Sequence, residues 1–189
     1  NNVAMSGSAG LVAYRSHGGV ARQTWVDRSG RRLGQLGEPD AAGPNNPRGS
    51  STGSFVAMQR TVDGNADVWV LDTERGIQRR FTSGDERDGS PAVSRDGLRV
   101  AFSSERTGVY DLFERPADGS GSETALLRSQ EPKLAEDWSP DGRNLLFTLQ
   151  SREGAMDLWA LPLAGDRPST GSGRPATAEG RKPVPVTQS

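Results

Sequence analysis

The chain has 189 residues, a formal net charge of −1, 25% charged residues and only 32% hydrophobic ones, with 24 Gly and 12 Pro. That near-neutral balance supplies no field to draw nucleic acid or an anionic membrane, and no apolar run reaches the length of a membrane span. Cysteine is absent, which excludes disulfides and thiol chemistry.

The chain opens at NNVAMSGSAG without an initiator Met, as expected of a processed or excised segment. The first strand pattern is LVAYRS (11–16), followed after the loop RSHGGVAR by QTWVDRSG from Gln23 and then by RRLGQLG. A second series reads NNPRGSS, FVAMQR (55–60), DVWVLDTERG from Asp67 and IQRRFTSG. The third is GSPAVS, RVAFSS (99–104), DLFERPADG from Asp111 and TALLRSQ. The fourth is LAEDWS, LLFTLQ (145–150) and DLWALPLAG from Asp157.

Residue alternation marks these runs as strands: Leu98, Val100 and Phe102 fall on one face, and Val68, Val70 and Asp72 oppose Trp69 and Leu71. Tyr14, Met58, Phe102 and Phe147 are spaced by 44, 44 and 45 residues; Trp25, Trp69, Phe113 and Trp159 by 44, 44 and 46. Two independent markers hold one period. Helical repeats of similar length fail here, because each unit carries interior Gly and Pro and lacks a long helical periodicity. Four short strands in about 44 residues form a β-propeller blade. The fold class expected is therefore all-β, with four-stranded antiparallel blades at approximately 1–41, 42–84, 85–130 and 131–189.

Two stretches, VSRDGLRVAF and DWSPDGRNLLF, place Asp96-Gly97 and Asp141-Gly142 between a first and a second strand. Asp-Gly tolerates the positive φ angles of a tight hairpin. The second unit has SSTG (50–53) instead and the first has SGSAG, so those hairpins are expected to be looser or differently turned.

The phrases SRDGLRVAFSS and WSPDGRNLLF, each followed by an Asp-x-aromatic strand, resemble the WD-like repeats of TolB-type propellers. LVAYRSHGG…QTWVDRSGRRLGQLGEP resembles the propeller of bacterial, especially acidobacterial, membrane-bound serine/threonine protein kinases. The resemblance covers residues 3 to about 185 and implies a six-bladed ring of which four blades are present. It also implies a periplasmic or otherwise extracytoplasmic location. No kinase motif occurs in the chain, so no phosphoryl-transfer residue is carried over.

The recurring acids Asp67, Asp111 and Asp157 are expected to satisfy donors within the blades, since a residue needed once per blade serves the blade. Trp25, Trp69, Phe113 and Trp159 are expected to pack between blades. His17, the one histidine, lies in a glycine-flanked loop with no nucleophile elbow, and a zinc site needs more ligands. DERDGS (85–90) lacks calcium-loop spacing. No catalytic residue, metal or cofactor is assigned. The polar stretch 165–182 is expected to be a flexible insertion between the last two strands.

Blade topology puts the fourth-to-first and second-to-third connections on one face. Arg48, Asp88, Lys133, Glu136 and Asp137 are expected at or near its channel rim, as contacts for a protein, peptide or small ligand. The remaining blades of a parent chain are the other expected partner. The chain reads as a noncatalytic binding or sensor module. The alternative is a propeller hydrolase, or the gating propeller of a prolyl-oligopeptidase-type peptidase.

Overall fold

The computed structural model describes residues 6–8, 11–15, 20–163 and 181–187. Among them there are sixteen strands and no helix. The first sheet contains β1 (Ser6–Ser8), β2 (Leu11–Arg15), β3 (Ala21–Val26) and β4 (Arg32–Asp40). The second contains β5 (Asn45–Gly49), β6 (Phe55–Val62), β7 (Asn65–Asp72) and β8 (Gln78–Arg80). The third contains β9 (Asp88–Val93), β10 (Arg99–Ser104), β11 (Asp111–Pro116) and β12 (Thr124–Leu127). The fourth contains β13 (Lys133–Trp138), β14 (Asn144–Gln150), β15 (Met156–Pro162) and β16 (Val184–Pro185).

Each sheet is an antiparallel meander in sequence order. First strands adjoin from sheet to sheet, β1 with β5, β5 with β9 and β9 with β13, so they line a common axis. These are propeller blades. His17 and residues 165–180 of the expected insertion lie outside the described residues.

The core lies between sheets. Val56, Met58 and Leu71 meet Leu36 of the first sheet, with Trp25 and Trp69 half-buried beside them. Val100, Phe102 and Phe113 meet Ala57, Val68, Val70 and Phe81 of the second. Leu145, Phe147, Leu161 and Trp138 meet Ala92, Ala101, Leu112 and Leu126 of the third. The second strands β6 and β10 thus send their large residues back and their small one forward: Ala57 shares a cluster with Phe102, and Ala101 shares one with Phe147. An aromatic needs room on the facing sheet, and an alanine provides it. Leu98, grouped by alternation with Val100 and Phe102, instead precedes β10 and is 62% exposed.

The two repeat markers face one another across the central hairpin of each later blade. Met58 pairs with Trp69, Phe102 with Phe113, and Phe147 with Trp159. The first sheet differs by one residue, with Trp25 opposite Ala13 and Tyr14 opposite Thr24.

The Asp-Gly turns differ from the tight hairpin expected. Gly97 and Gly142 take φ of 72° and 69°, but neither Asp96 nor Asp141 has a positive φ. The loop is longer: Ser94 N donates to Arg99 O at 2.9 Å, and Gly97 N to Ser94 O at 2.8 Å. Asp96 contributes its carboxylate, accepting from the Ser94 hydroxyl at 2.6 Å and the Leu98 amide at 3.0 Å. Asp141 does the same for Ser139 and the Arg143 amide, at 2.5 and 3.0 Å.

The SSTG turn of the second sheet is no different in kind. Ser50 N reaches Phe55 O at 2.9 Å, Gly53 N reaches Ser50 O at 2.9 Å, and Gly53 has φ 74°. Thr52 stands where the other turns have Asp, and its hydroxyl accepts the Ser54 amide at 3.4 Å. A serine that bonds across the loop and a glycine at positive φ are enough to form the turn.

Candidate binding face

Each described first strand below the first sheet is interrupted where it lines the axis. Asn46 and Pro47, Ser90 and Pro91, and Glu136 fall outside the regular ladder. Such bulges re-aim side chains. In the fourth sheet the bulge residue is Glu136, and from the second sheet Arg48 reaches it. Arg48 Nε donates to the Glu136 carbonyl at 3.2 Å, and Nη2 stands 4.0 Å from Glu136 Oε2. The other carboxylate oxygen, Oε1, accepts from Thr148 Oγ1 at 2.8 Å. Arg48 also donates to the Pro47 carbonyl at 3.3 Å. These residues are 88 apart in sequence, and β9 adjoins both of their strands. Their side chains remain 28% and 41% exposed. Asp137, next along, is exposed and accepts the Trp138 amide at 2.8 Å.

Asp88 and Lys133 correct the expectation of five charges at an open rim. Lys133 is fully buried, with Nζ 2.8 Å from Asp111 Oδ1 and a second bond to the Glu131 carbonyl. Asp88 is 2% exposed, and Arg106 Nη2 stands 3.5 Å from its Oδ1. Burial raises the Asp88 carboxyl above the ordinary aspartate value, against the lowering effect of Ser104, Thr82 and Arg106. The two residues are 45 apart, the same separation as Ser94 and Ser139, so they occupy one position of the repeat. That position opens the first strand and is covered by the neighbouring sheet: Lys133 N donates to Tyr110 O at 2.8 Å. Periodicity places the two charges at one position but carries no sign of its burial.

The recurring acids sit among donors. Asp67 is 2.6 Å from Arg80 Nη2 and accepts from the Thr82 hydroxyl at 3.3 Å. Asp111 accepts from the Ser129 amide at 3.0 Å as well as from Lys133 and Thr107. Asp157 is half-buried. Phe113 is buried and stacks on Phe102, with centroids 6.1 Å apart. Trp25, Trp69 and Trp159 are half-buried, and Arg60 lies 4.2 Å over the Trp69 ring.

Arg106 escaped the sequence reading. It contacts Asp88, Glu123 and the Ser104 hydroxyl, and it lies 4.5 Å over the Phe113 ring. Arg152 stands at the equivalent turn position of the fourth sheet, 46 residues on as Asp157 is from Asp111, so the repeat carried a signal that the sequence reading did not use. Among the described residues no three His, Cys, Asp or Glu side chains converge as metal ligands.

No protein-family model matches the chain. The uncharacterized protein Atu1656 of Agrobacterium fabrum is 35% identical over 127 residues, covering 64% of this chain and 41% of that protein. The Tol-Pal system protein TolB of Desulfotalea psychrophila is 30% identical over 112 residues, 59% of this chain and 25% of its own length. The structure of TolB from Acinetobacter baumannii superimposes with a TM-score of 0.73 at 17% identity, over 84% of this chain and 40% of that one. The chain has a TolB-like β-propeller fold.

A TolB-designated protein of Agrobacterium tumefaciens extends the likeness to 99% of this chain, again at TM-score 0.73, with 23% identity and 62% of that chain covered. The TolB-like fold is thus matched over nearly all of this chain, which spans well under half of the two curated relatives. The tricorn protease shares the fold at TM-score 0.64 and 14% identity, over 95% of this chain and 21% of that one. Among the described residues no helix is long and apolar enough to cross a membrane.

Proposed function

We propose that this TolB-like propeller is a noncatalytic module that binds a protein, peptide or small polar ligand at the axial end carrying Arg48, Glu136 and Asp137. The observation behind this reading is the Arg48–Glu136 contact. Two opposite charges meet beside the axis at 4.0 Å, looser than a closed ion pair, and both stay accessible to a ligand that competes for either. Asp88 and Lys133 are not among the contacts, because each is buried in its own blade junction. An extracytoplasmic location, and attachment to a serine/threonine kinase as its sensor region, rest on the sequence resemblance alone.

Charge reversal tests the reading. A partner captured with the complete parent protein would be titrated against Arg48→Glu and Asp137→Lys at low and high salt. The expected result is affinity about tenfold weaker, with a changed salt dependence, because accessible charges tune association more than stability. Unchanged affinity in both variants would move the binding face elsewhere.

A second reading is favoured by the peptidases among the similar proteins. The uncharacterized peptidase YuxL of Bacillus subtilis is 31% identical over 90 residues, 47% of this chain and 14% of that protein. On this reading the chain gates a peptidase, and the active site belongs to another domain. An α/β-hydrolase region in the parent gene would favour it over the kinase reading.

A further inference from the structure

A cleft of about 390 Å³ lies between the second and third sheets, beside their first-to-second and third-to-fourth strand turns. Its apolar walls are Phe55, Val70, Ile77, Leu98, Pro116 and Ala117. Ile77 and Leu98 are 60% and 62% exposed, more than any other large apolar side chain described. Two such residues on one concavity leave an apolar surface open to water. The volume falls within the range of about 300–1,000 Å³ typical of ligand sites.

Comparison with the next junction explains the cleft. Ala117 N donates to Leu98 O as Leu163 N donates to Arg143 O, at 2.8 and 2.7 Å, so Ala117 and Leu163 are equivalent. The equivalents Val93 and Trp138 close the first strands of the third and fourth sheets. Leu163 and Trp138 are buried in the junction between the third and fourth sheets, where Trp138 Nε1 donates to the Ala92 carbonyl at 3.1 Å. The junction between the second and third has the smaller Ala117 and Val93 in their places.

The polar lining sets the charge of an occupant. Arg79, the one cation in the wall, has its Nη2 donating to the Ala117 carbonyl at 2.6 Å. Asp72 and Asp118 supply two carboxylates. Hydrogen bonds keep both ionised below the ordinary range, led by the Arg75 amide at Asp72 and the Ser120 side chain at Asp118. Arg75 also pairs with Asp72 at 2.8 Å but is 67% exposed. Asp118 projects into solvent, with the Ser120 amide at 2.8 Å.

We infer that this cleft is a second binding site, taking a short peptide segment that presents an apolar side chain flanked by Lys or Arg. The apolar anchor enters between Ile77 and Leu98, and the flanking cation meets Asp118.

Isothermal titration of the intact chain with Ac-Lys-Leu-Phe-Lys-amide tests this directly. Saturable binding is expected, at least about tenfold tighter than for Ac-Glu-Leu-Phe-Glu-amide, a difference of about 1.4 kcal/mol. Ala117→Leu, which copies Leu163, should fill the cleft and weaken binding about tenfold or more. Asp118→Asn should narrow the preference for the basic peptide. Should Ala117→Leu fail to fold, Leu98→Ser at an exposed position gives the same readout. Arg48→Glu should leave this binding unchanged, which separates the site from the axial face. No saturable binding at millimolar peptide, equal binding of the acidic peptide, or full affinity in Leu98→Ser would each overturn the inference.

Discussion

Lys133 Nζ lies 2.8 Å from Asp111 Oδ1 with both side chains closed to solvent, and the pair ties the first strand of the fourth sheet to the third strand of the third. Two charges removed from water depend on each other. Lys133→Met should therefore cost about 3–5 kcal/mol, because it leaves a buried carboxylate without its cation. Adding Asp111→Asn to Lys133→Met should recover part of that loss. Urea denaturation of the single and double variants measures the coupling; additive losses would show that the pair is energetically idle.

Phe102→Ala should be among the most destabilising substitutions, at about 3–5 kcal/mol, because Phe102 is fully buried between Ala57 and Phe113. Trp69→Ala should cost less despite the larger ring, since Trp69 is only half-buried and its Nε1 has no hydrogen-bond partner. Unfolding midpoints rank the two, and the reverse order would contradict the packing described.

Thr52→Asp should stabilise the β5–β6 hairpin by about 0.5–1 kcal/mol, by replacing a 3.4 Å hydroxyl contact with the closer carboxylate bonds of the other turns. Asp96→Ala should cost a similar amount. Thermal melts of the two variants should shift in opposite directions.

Asp88 makes a prediction about pH. Burial raises its folded pKa above the unfolded one, so the folded state holds the proton more tightly. Its contribution is most favourable below about pH 4, the ordinary aspartate value, and is lost as pH rises through the raised folded value. Asp88→Asn cannot ionise. Its stability relative to the parent chain should therefore rise between pH 4 and 7, and equilibrium unfolding at several pH values reads the difference. A constant difference would mean that Asp88 titrates normally.

The blades were legible because two bulky positions recur at one period, and strand alternation then assigned Trp69 and Leu71 to one face and Val68 and Val70 to the other. The turns were legible in place but not in geometry. Asp-Gly suggested a two-residue hairpin, whereas the determinant is the serine two positions before the acid, which bonds across the loop even when Thr52 replaces that acid. The rim was the least legible part. Charge in a connecting loop suggested exposure at Asp88 and Lys133, but depth is set by the adjoining sheet, which no local pattern describes. The cleft beside Leu98 was hidden for a related reason, because it arises from the difference in volume between Ala117 and Leu163.

The alternation of Ala57 and Ala101 with Phe102 and Phe147 bears on how such a chain could grow. A unit that offers an alanine ahead and an aromatic behind is complementary to a copy of itself, so tandem duplication would create a fitted junction without any new side chain. The third unit meets that condition with Ala101 and Phe102, and the second offers Ala57 ahead with the similarly bulky Met58 behind. The fourth carries Leu146 where they carry Ala57 and Ala101, and so a duplicate of it would set Phe147 against a leucine. Recombination between neighbouring units should thus be tolerated after the second or third and resisted after the fourth.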